Sequence, residues 1–278
     1  MGAAAELRKI SRYGVIGQPV AHSLSPRIHA LFAKAFGIDL SYEAIEIAPA
    51  DLAARLQQLH ADGYSGINVT LPHKAVVAAL CEGVSERAQI AGAVNCLKRT
   101  DSGWIGDNTD GEGLVRDLAR LGIAVAGQRV LLLGAGGAAR GAIDPLLALH
   151  PKELVVSSRN PWKPEALAEQ FKGRGPLRPC THLALKGDHY DLIINATSAG
   201  HAGGMPRLPG PLLVEGGSCY DLSYGKAHAP FAAWAQQQSA AKTDDGLGML
   251  VEQAAVSFEI WLGKSPDVEA VLAALRTR

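Results

Sequence analysis

The chain has 278 residues, 47% of them hydrophobic, which is about twice an ordinary single-domain length and enough apolar content to close two cores. Lysine plus arginine and aspartate plus glutamate balance at 27 each, so no net field draws the chain to nucleic acid or an anionic membrane, and a small-molecule ligand is expected. Cys81, Cys96, Cys180 and Cys219 are scattered without a CxxC pair or a short spacing to His, which argues against a metal site and for thiols in a reducing cytosol.

Short β-rich runs alternate with longer stretches of helical period, the pattern of βαβ units with helices on both faces of a sheet. Residues 13–16, 42–47 and 66–69 are the first predicted strands. Ile28, Leu31, Phe32 and Ala35 recur at i, i+3, i+4 and i+7, which predicts an amphipathic helix after Pro26, and 51–61 is a second. A third is predicted to start at Pro72, since proline suits a first helical turn, and to run through Val76, Val77 and Leu80. Residues 96–99 and 104–105 read as a hairpin turned by Asp101-Ser102-Gly103.

After Asp110 the rhythm restarts. A helix over 114–121 stops at Gly122, and a continuously apolar strand follows over 129–133, of the kind buried in parallel sheets. Further strands at 153–157, 191–195 and 217–220 predict a second α/β domain. Residues 249–262 and 268–275 have helical spacing, but period alone assigns them to neither domain. Residues 200–210, rich in Gly and Pro, are expected to form a surface loop. No stretch reaches the roughly 18 apolar residues of a membrane span. Residues 1–11 lack the apolar core of a leader, and Gly2 lacks the Ser or Thr of an acylation signal, so a soluble cytoplasmic protein is expected.

Gly134-Ala135-Gly136-Gly137-Ala138-Ala139 follows the 129–133 strand directly and enters a helical stretch, the context that lifts a GxGxxA match above chance. Gly134 permits the tight turn, Gly136 lets backbone amides approach a pyrophosphate, and Ala139 is small enough for the helix to pack on the strand. At the end of the next strand an NAD site offers an acid to the ribose hydroxyls, whereas Ser158, Arg159, Asn160 and then Lys163 stand here. An uncharged residue beside two cations suits a ribose phosphate, which favours NADP. The competing reading is that Asn160-Pro161 caps the next helix and Arg159 is a solvated charge.

In His22-Ser23-Leu24-Ser25-Pro26 two hydroxyls precede a helix, with Ser25 the expected N-cap and Pro26 at N1; they either cap the helix or hold an anion there. Asn68-Val69-Thr70-Leu71-Pro72-His73-Lys74 runs off a strand into the third predicted helix, where a lysine in the first turn opposes the helix dipole. Lys74 is then either simply exposed or functional, and His73 reads as packing or surface. Gly106-Asp107-Asn108-Thr109-Asp110-Gly111 marks the passage from first to second domain, as a turn with a helix cap or as part of a cleft.

Together with Gly17 to Pro26, Ala91-Gly92-Ala93-Val94-Asn95, Ile194-Asn195-Ala196-Thr197-Ser198 and Asp245 to Gln253, these stretches resemble the shikimate dehydrogenase family over nearly the whole chain. The resemblance implies an α/β protein of two domains, an N-terminal substrate domain of residues 1–110 joined by 246–278, and a doubly wound Rossmann-type NADP-binding domain of 111–245. It implies reversible reduction of 3-dehydroshikimate to shikimate by NADPH, on the route to aromatic amino acids, by a monomer or homodimer. Ser23 and Ser25 would hold the substrate carboxylate, Thr70, Asn95, Tyr224 and Gln253 would contact the ring, and Lys74 and Asp110 would move the proton. Gly134, Ala135, Gly136, Gly137 and Ala138 would cradle the pyrophosphate. Ser158, Arg159 and Lys163 would meet the adenosine phosphate, while Glu86, Thr197, Leu222 and Gly246 complete the cofactor set.

Members that prefer NADP commonly carry Asn-Arg-Thr where this chain has Ser158-Arg159-Asn160, a departure at both neighbours of the arginine. Two alternatives stay open on sequence: an NAD-linked quinate/shikimate dehydrogenase, and a non-catalytic NADPH sensor on the same fold. The missing acid at Ser158 counts against the first, and retention of both Lys74 and Asp110 against the second.

Overall fold

The computed structural model describes residues 10–277. The leader and acylation readings fall almost wholly on residues 1–9, outside the described residues. The described residues divide into two compact units: 10–88, 93–108 and 254–277 form the first, and 89–92 and 109–253 the second.

The first unit is built on one six-stranded sheet. Its strands are β1 (Ser11–Gly17), β2 (Leu40–Glu46), β3 (Tyr64–Val69), β4 (Gly83–Val84), β5 (Cys96–Arg99) and β6 (Trp104–Asp107). They lie in the order β2-β1-β3-β5-β6-β4. β1 pairs in parallel with β2 and β3, and β5 runs antiparallel to β3 and to β6, so the predicted hairpin is present. Helix α1 (Ser25–Phe36) buries Ile28, Phe32 and Ala33 and ends at Gly37, whose φ of +61° glycine adopts without a Cβ penalty. Of the four residues predicted for its apolar face, Ala35 is exposed instead. Helix α2 (Leu52–Ala61) turns Leu52, Leu56 and Leu59 onto a core that includes Ile16, Ile67, Val69 and Trp104. Helix α9 (Val268–Arg276) lies in this unit, and α3 (Glu86–Ala91) begins in it and ends in the second.

Two local features depart from the sequence expectation. Residues after Pro72 form two 3-10 turns, His73–Ala75 and Val77–Leu80, rather than an α-helix. The Lys74 carbonyl, which an α-helix would direct to the N–H four residues on, instead accepts from Val94 N–H at 2.8 Å. Ser25 is not the N-cap of α1: Leu24 is, with no side-chain capping bond, and Ser25 is the first helical residue.

The second unit carries β7 (Arg129–Leu133), β8 (Glu153–Ser158), β9 (Leu177–Thr181), β10 (Tyr190–Asn195), β11 (Leu213–Asp221) and β12 (Lys242–Asp244). All pair in parallel, in the order β12-β11-β10-β7-β8-β9. The chain starts in the middle of this sheet, winds outward through β8 and β9, then returns to β10 and winds the other way. That reversal between β7 and β10 is the switch point of a Rossmann-type doubly wound sheet, where such sheets bind ligands.

Alternation along the strands makes both faces apolar. Val130, Leu132, Leu154, Val156, Leu192 and Ile194 pack on one side with Leu114 and Leu118 of α4 (Asp110–Arg120), Ile143 and Leu146 of α5 (Gly137–Ala148) and Leu167 of α6 (Trp162–Gln170). Leu131, Leu133, Val155, Ile193 and Cys219 face the other side, against Phe231 and Ala235 of α7 (Ala229–Gln237). Each buried Leu or Ile stabilises the unit by about 1.5–3 kcal/mol relative to exposure. Helix α8 (Leu247–Leu262) begins in this unit. The 200–210 segment opens as a 3-10 turn, Ala199–Ala202, and Met205 and Leu208 pack on the core, so it is less superficial than its Gly and Pro content suggests.

Candidate active site

Register brings the second unit's predicted cofactor residues into one row. Leu133 of β7 lies opposite Ser157 of β8 and Asn195 of β10, and Asn195 lies opposite Asp221 of β11. Gly134, Ser158, Thr197 and Leu222 therefore follow at or just beyond the carboxyl ends of neighbouring parallel strands. Gly134 has φ +108°, and a Cβ there would stand 2.8 Å from the Ala196 carbonyl oxygen, so only glycine fits. A Cβ on Gly136 or Gly137 would meet nothing within 4 Å. That open side lies at the N-terminus of α5, where backbone N–H groups and the helix dipole favour an anion, while Ala139 is fully buried on the strand side.

A cavity of about 320 Å³ leads from this loop along Arg140, Lys163, Ala166 and Gln170. Arg140 ends the glycine-loop motif and Gln170 lies outside any motif, and neither has a role assigned from sequence. Arg140 donates to the Gly92 carbonyl at 3.0 Å, and Gln170 to that of Ile90 at 2.8 Å. The cavity residues fit a dinucleotide, with a glycine loop for the pyrophosphate and Lys163 beyond it.

The Ser158 hydroxyl is held by the backbone of Asn160, accepting from its N–H and donating to its carbonyl, each at 3.1 Å. Asn160 Oδ1 accepts from Trp162 N–H at 3.0 Å, a turn that leads into α6, whose N-cap is Pro161 without a side-chain capping bond. Arg159 remains exposed, and its charge reaches into the fold: burial first, and then Arg159, lowers the His182 imidazole below its ordinary range. His182 in turn contacts Ser157 Oγ at 2.8 Å.

Thr197 is fixed by Asn195, whose Oδ1 accepts from the Thr197 N–H at 3.1 Å and hydroxyl at 2.7 Å. Asn195 Nδ2 donates to Asp221 Oδ1 at 3.0 Å, and the same oxygen accepts from Ser223 N–H at 3.0 Å. Gly246 donates its N–H to the Ser223 carbonyl at 3.0 Å, and a Cβ there would overlap the Leu222 carbonyl. Thr197, Leu222 and Gly246 thus share one brace. Its two central residues, Asn195 and Asp221, were given no role by sequence; a polar side chain ending an otherwise apolar strand is the signal that marks them. Gln253 is held by two bonds: its Oε1 accepts from the Thr109 hydroxyl at 3.4 Å and its Nε2 donates to the Leu250 carbonyl at 2.8 Å. Asp110 is the first residue of α4, and Tyr224, 37% exposed, precedes a 3-10 turn, Gly225–His228.

In the first unit Ser23, Ser25, Thr70, Lys74 and Asn95 follow the carboxyl ends of β1 and β3 or flank them. Ser23 Oγ accepts from Ser25 N–H at 3.2 Å. Thr70 N–H donates to Ile16 O at 2.9 Å, and Val69 N–H to Asn95 O at 2.8 Å. Beneath them Tyr42 donates to Asn68 Oδ1 at 2.8 Å, and Asn68 Nδ2 donates to Ser257 Oγ at 2.9 Å and to Asn95 O at 3.2 Å. His73 is fully buried with Nε2 2.8 Å from the Ile47 carbonyl, a packing role. Glu86 opens α3. All four cysteines are free thiols, and burial pushes Cys81 up to about 11 and Cys96 up to about 12.

A doubly wound parallel sheet with a glycine loop at its switch point, joined to a separate mixed-sheet unit, defines a dinucleotide-binding α/β protein of two units. The family described as shikimate dehydrogenase substrate binding domain matches residues 15–97, shikimate / quinate 5-dehydrogenase matches 117–202, and the shikimate 5'-dehydrogenase C-terminal domain matches 246–276. Shikimate dehydrogenase (NADP(+)) of Aeromonas hydrophila subsp. hydrophila is 48% identical over 268 residues, covering 96% of this chain and 98% of that protein. Among solved structures, an Ael1 enzyme from Pseudomonas putida superposes with TM-score 0.91 at 42% identity, over 96% of this chain and 99% of that one. Shikimate 5-dehydrogenase from Thermus thermophilus, in complex with NADP(H) and shikimate, gives TM-score 0.84 at 34% identity, over 96% and 99%. The chain belongs to the shikimate dehydrogenase family, as its motifs imply.

Proposed function

We propose that this protein is an NADP-linked shikimate dehydrogenase that interconverts 3-dehydroshikimate and shikimate. What carries the reading is the row of Gly134, Ser158, Thr197 and Leu222 along the strand ends, in a chain of this family that keeps both Lys74 and Asp110. The dinucleotide, when bound, supplies or accepts the hydride. The chain supplies everything else. Ser23 and Ser25 bind the carboxylate through their hydroxyls. Thr70, Asn95, Tyr224 and Gln253 orient the ring, so that one hydroxyl carbon faces the nicotinamide.

Oxidation of an alcohol releases a proton from oxygen as hydride leaves carbon, and Lys74 and Asp110 take up that proton as a pair. An ammonium beside the reacting oxygen also favours developing negative charge there. Arg159 and Lys163 bind the adenosine phosphate, and the absence of an acid at Ser158 removes the group that an NAD site uses. On this reading the enzyme works in the cytoplasm on small molecules, as a monomer or homodimer.

The test is initial rate at 340 nm for the four pairings of shikimate or quinate with NADP or NAD. Shikimate with NADP is expected to exceed every other pairing by at least about ten-fold, a difference of about 1.4 kcal/mol in transition-state binding. Faster turnover with NAD, or with quinate, would replace the reading by the quinate/shikimate alternative.

A further inference from the structure

Helix α4 presents Asp110, Gly113 and Asp117 at i, i+3 and i+7, on one face. That face meets the start of α8 at two points within the second unit. At the first, Gly113 lies so close to Gln253 that a Cβ on it would stand 2.7 Å from Gln253 N. At the second, the fully buried Asp117 carboxylate presses on Gly248, where any Cβ would overlap it. Each helix contributes one glycine, and the contacts run in opposite order along the two, so they fix an antiparallel register as two pins would.

Asp117 needs an explanation, because a carboxylate buried this fully is unfavourable unless its oxygens are hydrogen-bonded or paired. The Tyr220 hydroxyl, at the end of β11, donates to Asp117 Oδ2 at 2.5 Å. Arg120, one turn on, pairs with Oδ1 at 2.7 Å. Burial, and then Asp117 itself, keeps the Tyr220 hydroxyl protonated as a donor, and the Met249 N–H of α8 acts on the same hydroxyl. A strand, α4 and α8 therefore converge on one carboxylate.

We propose that Asp117, held by Tyr220 and Arg120 against Gly248, is a positioning residue that sets the register of α8 on α4 and thereby places Gln253 and Asp110. The inference rests on the roles given above to Asp110 in proton transfer and Gln253 in ring contact. It adds Asp117, Tyr220 and Arg120 as the groups that hold them in place.

Four variants test it: Gly248→Ala, Asp117→Ala, their combination, and Tyr220→Phe, which keeps the ring and removes only the hydroxyl. The readouts are kcat and KM for shikimate, binding of 2′,5′-ADP to the Gly134 end of the same unit, and amide hydrogen exchange. Gly248→Ala is expected to lower kcat/KM for shikimate by about ten-fold or more in the parent chain but by less than about two-fold when Asp117 is already alanine, since the obstacle to the methyl is then gone. Tyr220→Phe should lower kcat and raise KM while leaving 2′,5′-ADP binding within about two-fold, and should speed exchange over residues 249–253 but not over 130–133.

Additive losses in the double variant would overturn the proposal. So would equal loss of 2′,5′-ADP binding and turnover, or unchanged exchange over 249–253 in Tyr220→Phe. If the parent chain itself did not oxidise shikimate, the functional reading would fall while the exchange data still decided the helix register.

Discussion

His29 is fully buried, and neither of its ring nitrogens makes a well-formed hydrogen bond among the described residues, although the Asn68 side chain lies close enough to act weakly against burial. It stacks on Tyr42 with ring centroids 4.3 Å apart and planes within 7°, so its place in the fold is that of a flat apolar ring. Burial lowers its imidazole to about 3. In the unfolded chain the same group titrates at about 6.5. Between those values the unfolded chain binds more protons than the folded one, so stability falls as pH drops below about 6.5. Well inside that window the loss from this residue approaches about 1.4 kcal/mol per pH unit. His29→Phe is expected to flatten this part of the acid sensitivity, seen as a smaller change in urea unfolding free energy between pH 6 and pH 4. Equal slopes for variant and parent would show that the residue does not carry it.

Lys74 and Ser23 are separable by kinetics. Lys74→Ala is expected to lower kcat by hundreds-fold or more with much less change in KM, because proton transfer is lost while binding groups remain. Near-normal turnover would remove Lys74 from the mechanism. Ser23→Ala should instead raise the shikimate KM, and an unchanged KM would argue against a carboxylate contact.

At the scale of elements, the β7–Gly134–α5 unit was legible because every local signal agrees: an apolar strand, a glycine turn and a small residue where the helix packs. Gly134→Ala places a Cβ 2.8 Å from a backbone carbonyl at φ +108°, so the turn must shift. The expected result is a destabilisation of about 1–3 kcal/mol in thermal or urea melts, with weaker NADP binding. Parental stability and affinity would mean that the turn tolerates a side chain.

Other elements were not legible, for physical reasons. Strand β9 carries Arg178 and Pro179 in five residues without alternation, which an edge strand tolerates and a periodicity search misses. The turn at Lys74 looked helical because Pro72 and the apolar spacing around Val77 satisfy helix rules, but a carbonyl bond to Val94 overrides them. Asp117 reads as one more polar residue of an amphipathic helix, and only the fold brings Tyr220 and Gly248 to it.

At the scale of the molecule, the order β12-β11-β10-β7-β8-β9 brings residues spread from Gly134 to Leu222 together, as the proposed cofactor site requires: parallel strands in register end together, and their next residues form a row. Family membership, the two-unit α/β architecture and the glycine loop could all be read from sequence. The braces could not, since Asn195 with Asp221 and Asn68 with Tyr42 pair across 26 residues in each case. Sequence reading finds residues that touch ligands through motifs; their supporting residues become visible only once strands are aligned.

Hydride transfer between shikimate and the nicotinamide can be followed by isotope labelling. Shikimate deuterated at C3 is to be incubated with the purified protein and NADP, and the reduced cofactor examined by mass spectrometry. One deuterium is expected on the reduced nicotinamide, formed more slowly than with unlabelled shikimate whenever hydride transfer limits the rate. Tight NADP binding without reduction, or reduced cofactor that carries no deuterium, would contradict it.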